Sequence, residues 1–180
     1  MARELAGAGD APSPELKAHV RDPISLALSY GSGLVLIVVL ALIRPDSWNF
    51  PLFLHILGAT VLFGTVATVA IVGFASRSHA GYEQLLARVA QRTYLLGIVP
   101  AYIVMRVGAQ WIDSKEFPNG DEPGWVGVGF LVSDAGVILL LIVGILLAVR
   151  RQRVLLAVPL LTALYVIALG VAWVAMSGKP

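Results

Sequence analysis

Three ionisable side chains lie within otherwise apolar stretches of this sequence: His55, Arg106 and Asp134. Ionisable groups in apolar surroundings are costly to bury, and they commonly mark sites that handle ions, protons or ligands. The opposite charges of Arg106 and Asp134 predict an ion pair. The pair has three interpretations: a structural contact that fixes helix packing, a proton or substrate site, or an arginine that extends towards the membrane surface.

His55 and Met105 carry the two groups in these stretches that suit a soft metal ion. Imidazole is the commonest metal ligand in proteins, and imidazole with thioether suits copper or the axial positions of a haem iron. Met176 adds a second thioether at a comparable position. The alternatives are a hydrogen-bonded helix contact or proton handling for His55, and core packing for the methionines. We therefore expect no cofactor, with haem or copper at His55 and Met105 as the alternative.

Other kinds of site find little support in the sequence. The chain has no cysteine, which excludes disulfides, thiolate metal sites and a cysteine nucleophile. It also has no glycine-rich phosphate loop, no HExxH motif and no GxSxG motif. The basic residues lie in short segments between apolar runs and form no stripe with aromatic residues, so a nucleic-acid partner is not expected. These observations favour a non-enzymatic protein.

Composition indicates that these residues are positioned by helices in a membrane. The 180 residues are 58% hydrophobic and only 13% charged, whereas soluble domains are about 25% charged. Residues 1–22 are rich in Ala, Gly and Pro and predict a flexible tail. We interpret residues 23–180 as one all-α, polytopic transmembrane bundle with the lipid bilayer as its main partner. Five apolar runs are long enough to cross as helices, at about 24–43, 51–75, 93–111, 126–149 and 154–176.

The distribution of basic residues predicts the orientation of these five crossings. Nine basic residues fall on one face of the membrane: Arg3, Lys17, Arg21, Arg77, Arg88, Arg92, Arg150, Arg151 and Arg153. By the positive-inside rule this face is cytoplasmic, and so is the amino terminus. All four tryptophans then fall at the outer boundary, where indole rings are favoured. The high ratio of arginine to lysine indicates a bacterial source, and hence the inner membrane.

The predicted topology brings the candidate residues to one depth. A short acidic segment from Asp113 to Gly124 joins the crossings 93–111 and 126–149, so these crossings should be antiparallel neighbours. Arg106 and Asp134 then lie at similar outer depth, near His55, and we expect one polar cluster. The acidic loop is either simply solvated or a vestibule that gathers cations above Asp134. Thr60, Gly64 and Thr68 recur every fourth residue and predict close helix packing within the bundle.

Three segments also carry a family resemblance. FLHILGATVLFG from Phe53 to Gly64, PAYIVMRVGAQWI and GFLVSDAG together resemble a family of predicted bacterial integral membrane proteins of unknown function, over about residues 51–153. The histidine opening is more loosely similar to copper-resistance membrane domains and to haem-carrying bacterial membrane protoporphyrinogen oxidases. The resemblance implies a multi-pass membrane protein, and the looser similarity implies haem or copper at His55.

The functional expectation follows from these points. We interpret the chain as a non-enzymatic accessory component or a small transport-related component of the membrane. It would act with other membrane subunits or with a second copy of itself. The alternative is a membrane redox protein that binds haem or copper through His55.

Overall fold

The computed structural model describes residues 49–78, 83–149 and 157–177, together with positions 35, 38, 39, 42 and 43. The chain divides into two compact units, Met1–Ile43 and Arg44–Pro180. In the first unit the five described positions are helical and exposed. The predicted tail 1–22 and the rest of the predicted crossing 24–43 lie outside the described residues. All the elements named below belong to the second unit.

The described part of the second unit consists of helices and the segments that connect them, without a strand. Its helices are α1 (Phe50–Ser78), α2 (Glu83–Thr93), α3 (Val99–Glu116), α4 (Gly124–Val149) and α5 (Ala157–Ser177). A π-helical turn, Tyr94–Ile98, joins α2 to α3. Four segments are long and apolar enough to cross a membrane: Phe50–Ser76, Leu85–Glu116, Gly124–Val149 and Ala157–Ser177. This architecture is compatible with a multi-pass membrane protein.

The helix around the third predicted crossing is longer than its apolar run. The apolar run indicated residues 93–111, and the helical segment that contains it extends over Leu85–Glu116, which is 32 residues long. The amphipathic segment α2 continues through the π-helical turn into α3, so the two helices form one long rod. Pro100 lies in the first turn of α3. Its ring removes a backbone donor, and the irregular backbone that it requires takes the form of the π-helical turn just before it.

Local sequence explains how α1 begins and how it remains regular. The side-chain oxygen of Asn49 accepts a hydrogen bond from the Leu52 amide at 3.3 Å, which caps the first turn. Pro51 lies in that turn, where its missing N–H costs nothing. Farther along, the hydroxyls of Thr60 and Thr68 each donate to the carbonyl four residues earlier, at 2.8 Å. Polar side chains are thereby satisfied within the helix itself.

Glycine allows α1 and α3 to pack with their backbones in contact. A Cβ atom at Gly108 would lie 2.6 Å from the backbone nitrogen of His55 and 2.9 Å from the carbonyl oxygen of Pro51. One at Gly58 would lie 2.7 Å from the Cα of Met105. These two glycines lock the opening turns of α1 against the middle of α3, with His55 beside Met105.

The predicted small-residue stripe Thr60, Gly64 and Thr68 does not pack within the described bundle. All three residues are exposed, and a Cβ at Gly64 would meet nothing within 4 Å. The inward face of α1 consists instead of larger aliphatic residues, among them Leu62, Val66 and Val69, which are fully buried. The every-fourth-residue spacing of the small residues therefore identified a face of α1 but not what packs against it.

Long polar side chains span the interface between α3 and α4. The Tyr102 hydroxyl donates to the Ser133 carbonyl at 3.1 Å, and Arg106 pairs with Asp134. Tyr94, in the π-helical turn, donates to the carbonyl of Leu140 at 2.8 Å. The partner on α4 moves back from Leu140 to Ser133 as the chain advances from Tyr94 to Tyr102, so the two segments run antiparallel. Because large side chains separate the backbones here, space remains between the helices.

Candidate functional site

A cavity of about 410 Å³ lies between α1, α3, α4 and α5, at the end of the bundle next to the loop 117–123. This volume is within the range of pockets that bind small molecules, roughly 300–1,000 Å³. Its walls are mainly aliphatic and aromatic. The polar side chains among them are few: His55, Arg106, Asp113, Glu116, Ser133 and Ser177. An apolar cavity with a few convergent polar groups is the usual form of a ligand site.

The structure determines the hydrogen-bonding state of His55. Its Nδ1 lies 3.1 Å from the carbonyl oxygen of Met105. A carbonyl oxygen only accepts, so Nδ1 must carry the proton and donate it. Nε2 has no hydrogen-bond partner within the described ranges, and His55 lines the cavity. The imidazole of this tautomer therefore offers its Nε2 lone pair as an acceptor or as a ligand.

Arg106 is held between a carboxylate and an aromatic ring. Its Nη2 lies 2.8 Å from Oδ1 of Asp134, and its guanidinium carbon is 4.6 Å from the centroid of the Phe130 ring, a cation–π contact. Nη1 is enclosed and has no hydrogen-bond partner among the described residues. The side chain of Asp134 is 62% exposed, and Asp134 is not part of the cavity wall. Asp134 therefore neutralises the Arg106 guanidinium from outside the cavity.

Two aromatic contacts lie in the cavity wall, and a third joins α3 to the start of α1. Phe63 of α1 meets Trp173 of α5 edge to face, with ring centroids 6.3 Å apart. At the loop end, Phe117 and Trp125 form a similar contact at 6.4 Å. Trp111 of α3 packs edge to face against Phe50 at the start of α1. Such pairs stabilise by about 0.5–1.5 kcal/mol beyond the area that they bury. They therefore hold the walls of the cavity in place.

Carboxyl groups gather where the cavity approaches the loop. Asp113 and Glu116, near the end of α3, belong to the cavity wall, and the Oδ1 atom of Asp113 is enclosed and unpartnered within the described ranges. Glu122, in the loop, would share a hydrogen bond with the Asp113 carboxylate when Glu122 is protonated. Desolvation, and next the charge of Asp113 and this hydrogen bond, raise the pKa of Glu122 above its ordinary value of 4.5. The loop end of the cavity is therefore electronegative.

The methionines and His55 give the cavity a set of soft donors. Met105 and Met176 both belong to its wall with His55. No group of three His, Cys, Asp or Glu residues that could hold a metal occurs in the described part of the chain. A hard-ligand or zinc-type site is therefore not formed by those residues. The types of donor that remain, imidazole nitrogen and thioether sulfur, are those that copper(I) accepts and those of a histidine–methionine axial pair on haem iron.

The structure brings most of the predicted residues together. His55, Met105 and Arg106 share the cavity, whereas Asp134 joins them only through its ion pair with Arg106. Sequence reasoning missed Phe130, which lies one helical turn before Asp134 on α4. That spacing places both residues on one face of a helix, and with Arg106 opposite it was a usable signal. Phe63 and Trp173 carried no such signal, because their meeting depends on how α1 and α5 pack.

Comparison with protein-family models, with curated proteins and with solved structures yields no match to this chain.

Proposed function

We propose that this protein is a multi-pass membrane component that binds a small, largely apolar molecule in the cavity around His55 and Arg106. It is non-enzymatic and serves as an accessory or small transport-related component. One observation carries the proposal: the Nε2 lone pair of His55 has no hydrogen-bond partner within the described ranges, in an apolar cavity large enough for a ligand. His55 lines this cavity, so a bound molecule with a hydrogen-bond donor would pair with Nε2.

The proposed setting is the one that the basic residues indicate. The amino terminus is cytoplasmic, the loop 117–123 faces outwards, and a fifth crossing at about 24–43 precedes α1. The membrane is a bacterial inner membrane. Three tryptophans of the described part support this orientation, since Trp111, Trp125 and Trp173 all lie at the loop end of the bundle. Partners are other membrane subunits or a second copy of the chain.

A cavity-filling variant tests the binding function. Ala109 lies in the cavity wall, so Ala109→Trp places an indole ring inside it. Ala135 is exposed on α4 and is not in the wall, so Ala135→Trp is the matched control. Native mass spectrometry of protein purified in mild detergent should show a bound small molecule on the wild type and the control, and little on the filled variant. Equal retention by all three, or a wild type that carries and accepts no ligand, would contradict the proposal.

A second candidate function is a redox protein with copper or haem. The observation that favours it is the tautomer of His55, because a histidine ligand usually donates its other ring N–H to a backbone carbonyl or carboxylate. His55 donates in this way to the carbonyl of Met105. The Nε2 of His55 would hold the metal ion with Met105 as the second ligand, and the group would supply one-electron chemistry.

Metal analysis and an absorption spectrum separate the two functions. The redox function predicts about one copper or one haem per chain, lost in His55→Ala and weakened in Met105→Leu. Wild-type protein that stays colourless and metal-free after incubation with copper(I) and haem would reject the redox function. Mass spectrometry of a ligand without metal, lost in Ala109→Trp, would instead support the first.

A further inference from the structure

The part of the cavity wall that α1 and α5 form includes exposed apolar residues. Leu52 and Ile56 on α1, and Trp173 on α5, line the cavity and are also 41%, 52% and 50% exposed. Farther along, the two helices are joined by the contact between Phe63 and Trp173. The exposed part of the wall lies on the loop side of this contact, within helices that are apolar enough to be in the membrane. This position would let a molecule dissolved in the hydrocarbon reach the cavity from the membrane.

The polar groups of the cavity select the head group of such a molecule. In the neutral imidazole Nε2 of His55 is an acceptor, because Nδ1 carries the ring proton and donates it to the Met105 carbonyl. A ligand must therefore present a donor to it. A hydroxyl group is the smallest uncharged donor, and its oxygen can accept a hydrogen bond in return.

Electrostatics disfavours a charged ligand of either sign. The guanidinium of Arg106 is already neutralised by Asp134 at 2.8 Å, so the cavity has no net positive charge to attract an anion. Asp113 and Glu116 in its wall repel an anion further. A cation would be attracted to these carboxylates at the loop end, but it could not donate to His55 without being taken deep into apolar surroundings.

We propose that the cavity takes an uncharged amphiphile with a hydroxyl head group, which enters from the membrane between α1 and α5 and donates its hydroxyl proton to Nε2 of His55. The apolar chain packs against Phe63, Leu169 and Trp173 and extends past the exposed part of the wall. This inference rests on the proposed binding function and names its ligand class. Membrane-resident alcohols and small alcohols from water share this head group, and the test separates them.

Quenching of tryptophan fluorescence by bromine provides the test, because Trp173 lies in the cavity wall. The probe is 11-bromo-1-undecanol, added to the full chain in phosphatidylcholine vesicles at pH 8. Its comparison compounds are the methyl ether, which lacks the donor, and 11-bromoundecanoate, which is an anion. We expect saturable quenching by the alcohol and at least about fivefold weaker apparent affinity for the other two, since one hydrogen bond is at stake. Trp173→Phe should remove most of the saturable component.

The outcomes divide cleanly between the two proposals. If alcohol, ether and carboxylate bind equally, and Ala109→Trp abolishes all three, the cavity binds ligands but the hydroxyl head group is wrong. If no probe quenches saturably, both the binding function and its ligand class fail. The comparison of probes uses the wild-type protein, so it does not depend on the folding of a variant at His55.

A short alcohol tests the route of entry. Tribromoethanol carries the hydroxyl group but reaches the protein from water. We expect it to quench at least tenfold less well than the long-chain alcohol at equal total concentration. An equal or stronger response would show a water-delivered alcohol as the ligand and would overturn entry from the membrane. His55→Gln retains a side-chain acceptor and should keep more of the alcohol preference than His55→Phe, and the reverse order would contradict the role of Nε2.

Discussion

The contact of Gly108 with His55 should respond strongly to one added methyl group. In Gly108→Ala the new Cβ would lie 2.6 Å from the His55 nitrogen, 2.9 Å from its Cα and 2.9 Å from the carbonyl oxygen of Pro51. All three are backbone atoms, so no side-chain rotation relieves the clash. The helices must part by about 1 Å to reach the roughly 3.5 Å of ordinary contact. Overpacking of this kind costs about 1–3 kcal/mol of stability.

Gly64→Ala on α1 is the matched control. Its Cβ would meet nothing within 4 Å, so the substitution should stabilise by about 0.5–1 kcal/mol, because alanine loses less backbone entropy in a helix than glycine. The same entropic gain offsets part of the clash at Gly108. The two variants should therefore differ by about 1–3 kcal/mol in the free energy of unfolding, with Gly108→Ala the less stable.

Unfolding by sodium dodecyl sulfate in mixed micelles, followed by circular dichroism, measures this difference. Separation of the helices should also lengthen the bond from His55 Nδ1 to the Met105 carbonyl, now 3.1 Å. Nitrogen-15 NMR of the imidazole reports the tautomer directly, and a shift towards a mixture of tautomers is expected in Gly108→Ala only. Equal stability of the two variants, with an unchanged imidazole spectrum, would refute the packing of α1 on α3 described above.

Three further predictions concern polar groups elsewhere in the bundle. Tyr94→Phe removes a hydroxyl that donates to α4 at 2.8 Å and should destabilise the protein by about 1 kcal/mol, whereas Tyr165→Phe removes an enclosed hydroxyl without a partner in the described part of the chain and should be neutral or stabilising. The opposite order of the two variants in thermal unfolding would contradict these assignments. A double-mutant cycle of Arg106→Gln and Asp134→Asn should give a favourable coupling of about 0.5–3 kcal/mol, and no coupling would show that the pair is not formed. The pKa of Glu122 is raised above 4.5, so the folded protein binds this proton more tightly than the unfolded chain does, and the group contributes stability below pH 4.5 that is lost as pH rises through the raised pKa. Unfolding curves of Glu122→Gln should lack this loss, and a pH profile identical to that of the wild type would contradict the prediction.

The fold was most predictable in the segments that would lie in the hydrocarbon core of the membrane. Apolar runs of twenty residues indicated four of the described helices because every backbone group in lipid needs a partner in the same segment. Their ends were harder to predict, because a helix continues past the apolar region wherever its polar residues reach water. The acidic end of α3 at Glu116 shows this, since hydropathy alone ended the crossing at about residue 111.

The sequence predicted which site residues lie at the same depth in the bundle, but it did not predict which helix faces pack together. The short loop between α3 and α4 and the opposite charges of the two residues were enough to predict the pair of Arg106 with Asp134 across antiparallel helices. The cavity depends on which faces of α1 and α5 meet, and the stripe of Thr60, Gly64 and Thr68, which is exposed among the described residues, does not report on that. An every-fourth-residue pattern shows that residues share a face, but Gly58 and Gly108 are lone glycines whose contacts only the three-dimensional packing reveals.

The π-helical turn from Tyr94 to Ile98 has a consequence for how α2 and α3 are related in angle. A turn that holds one residue more than an α-helical turn shifts the following side chains by about 100° around the axis, the angular step of a single residue. The side chains of α2, before the turn, and those of Tyr102 and Arg106, after it, therefore follow two helical patterns that differ by this angle around the axis. Deleting a single residue from the turn would therefore rotate Arg106, and with it the other α3 residues of the cavity wall, by about 100° relative to α2.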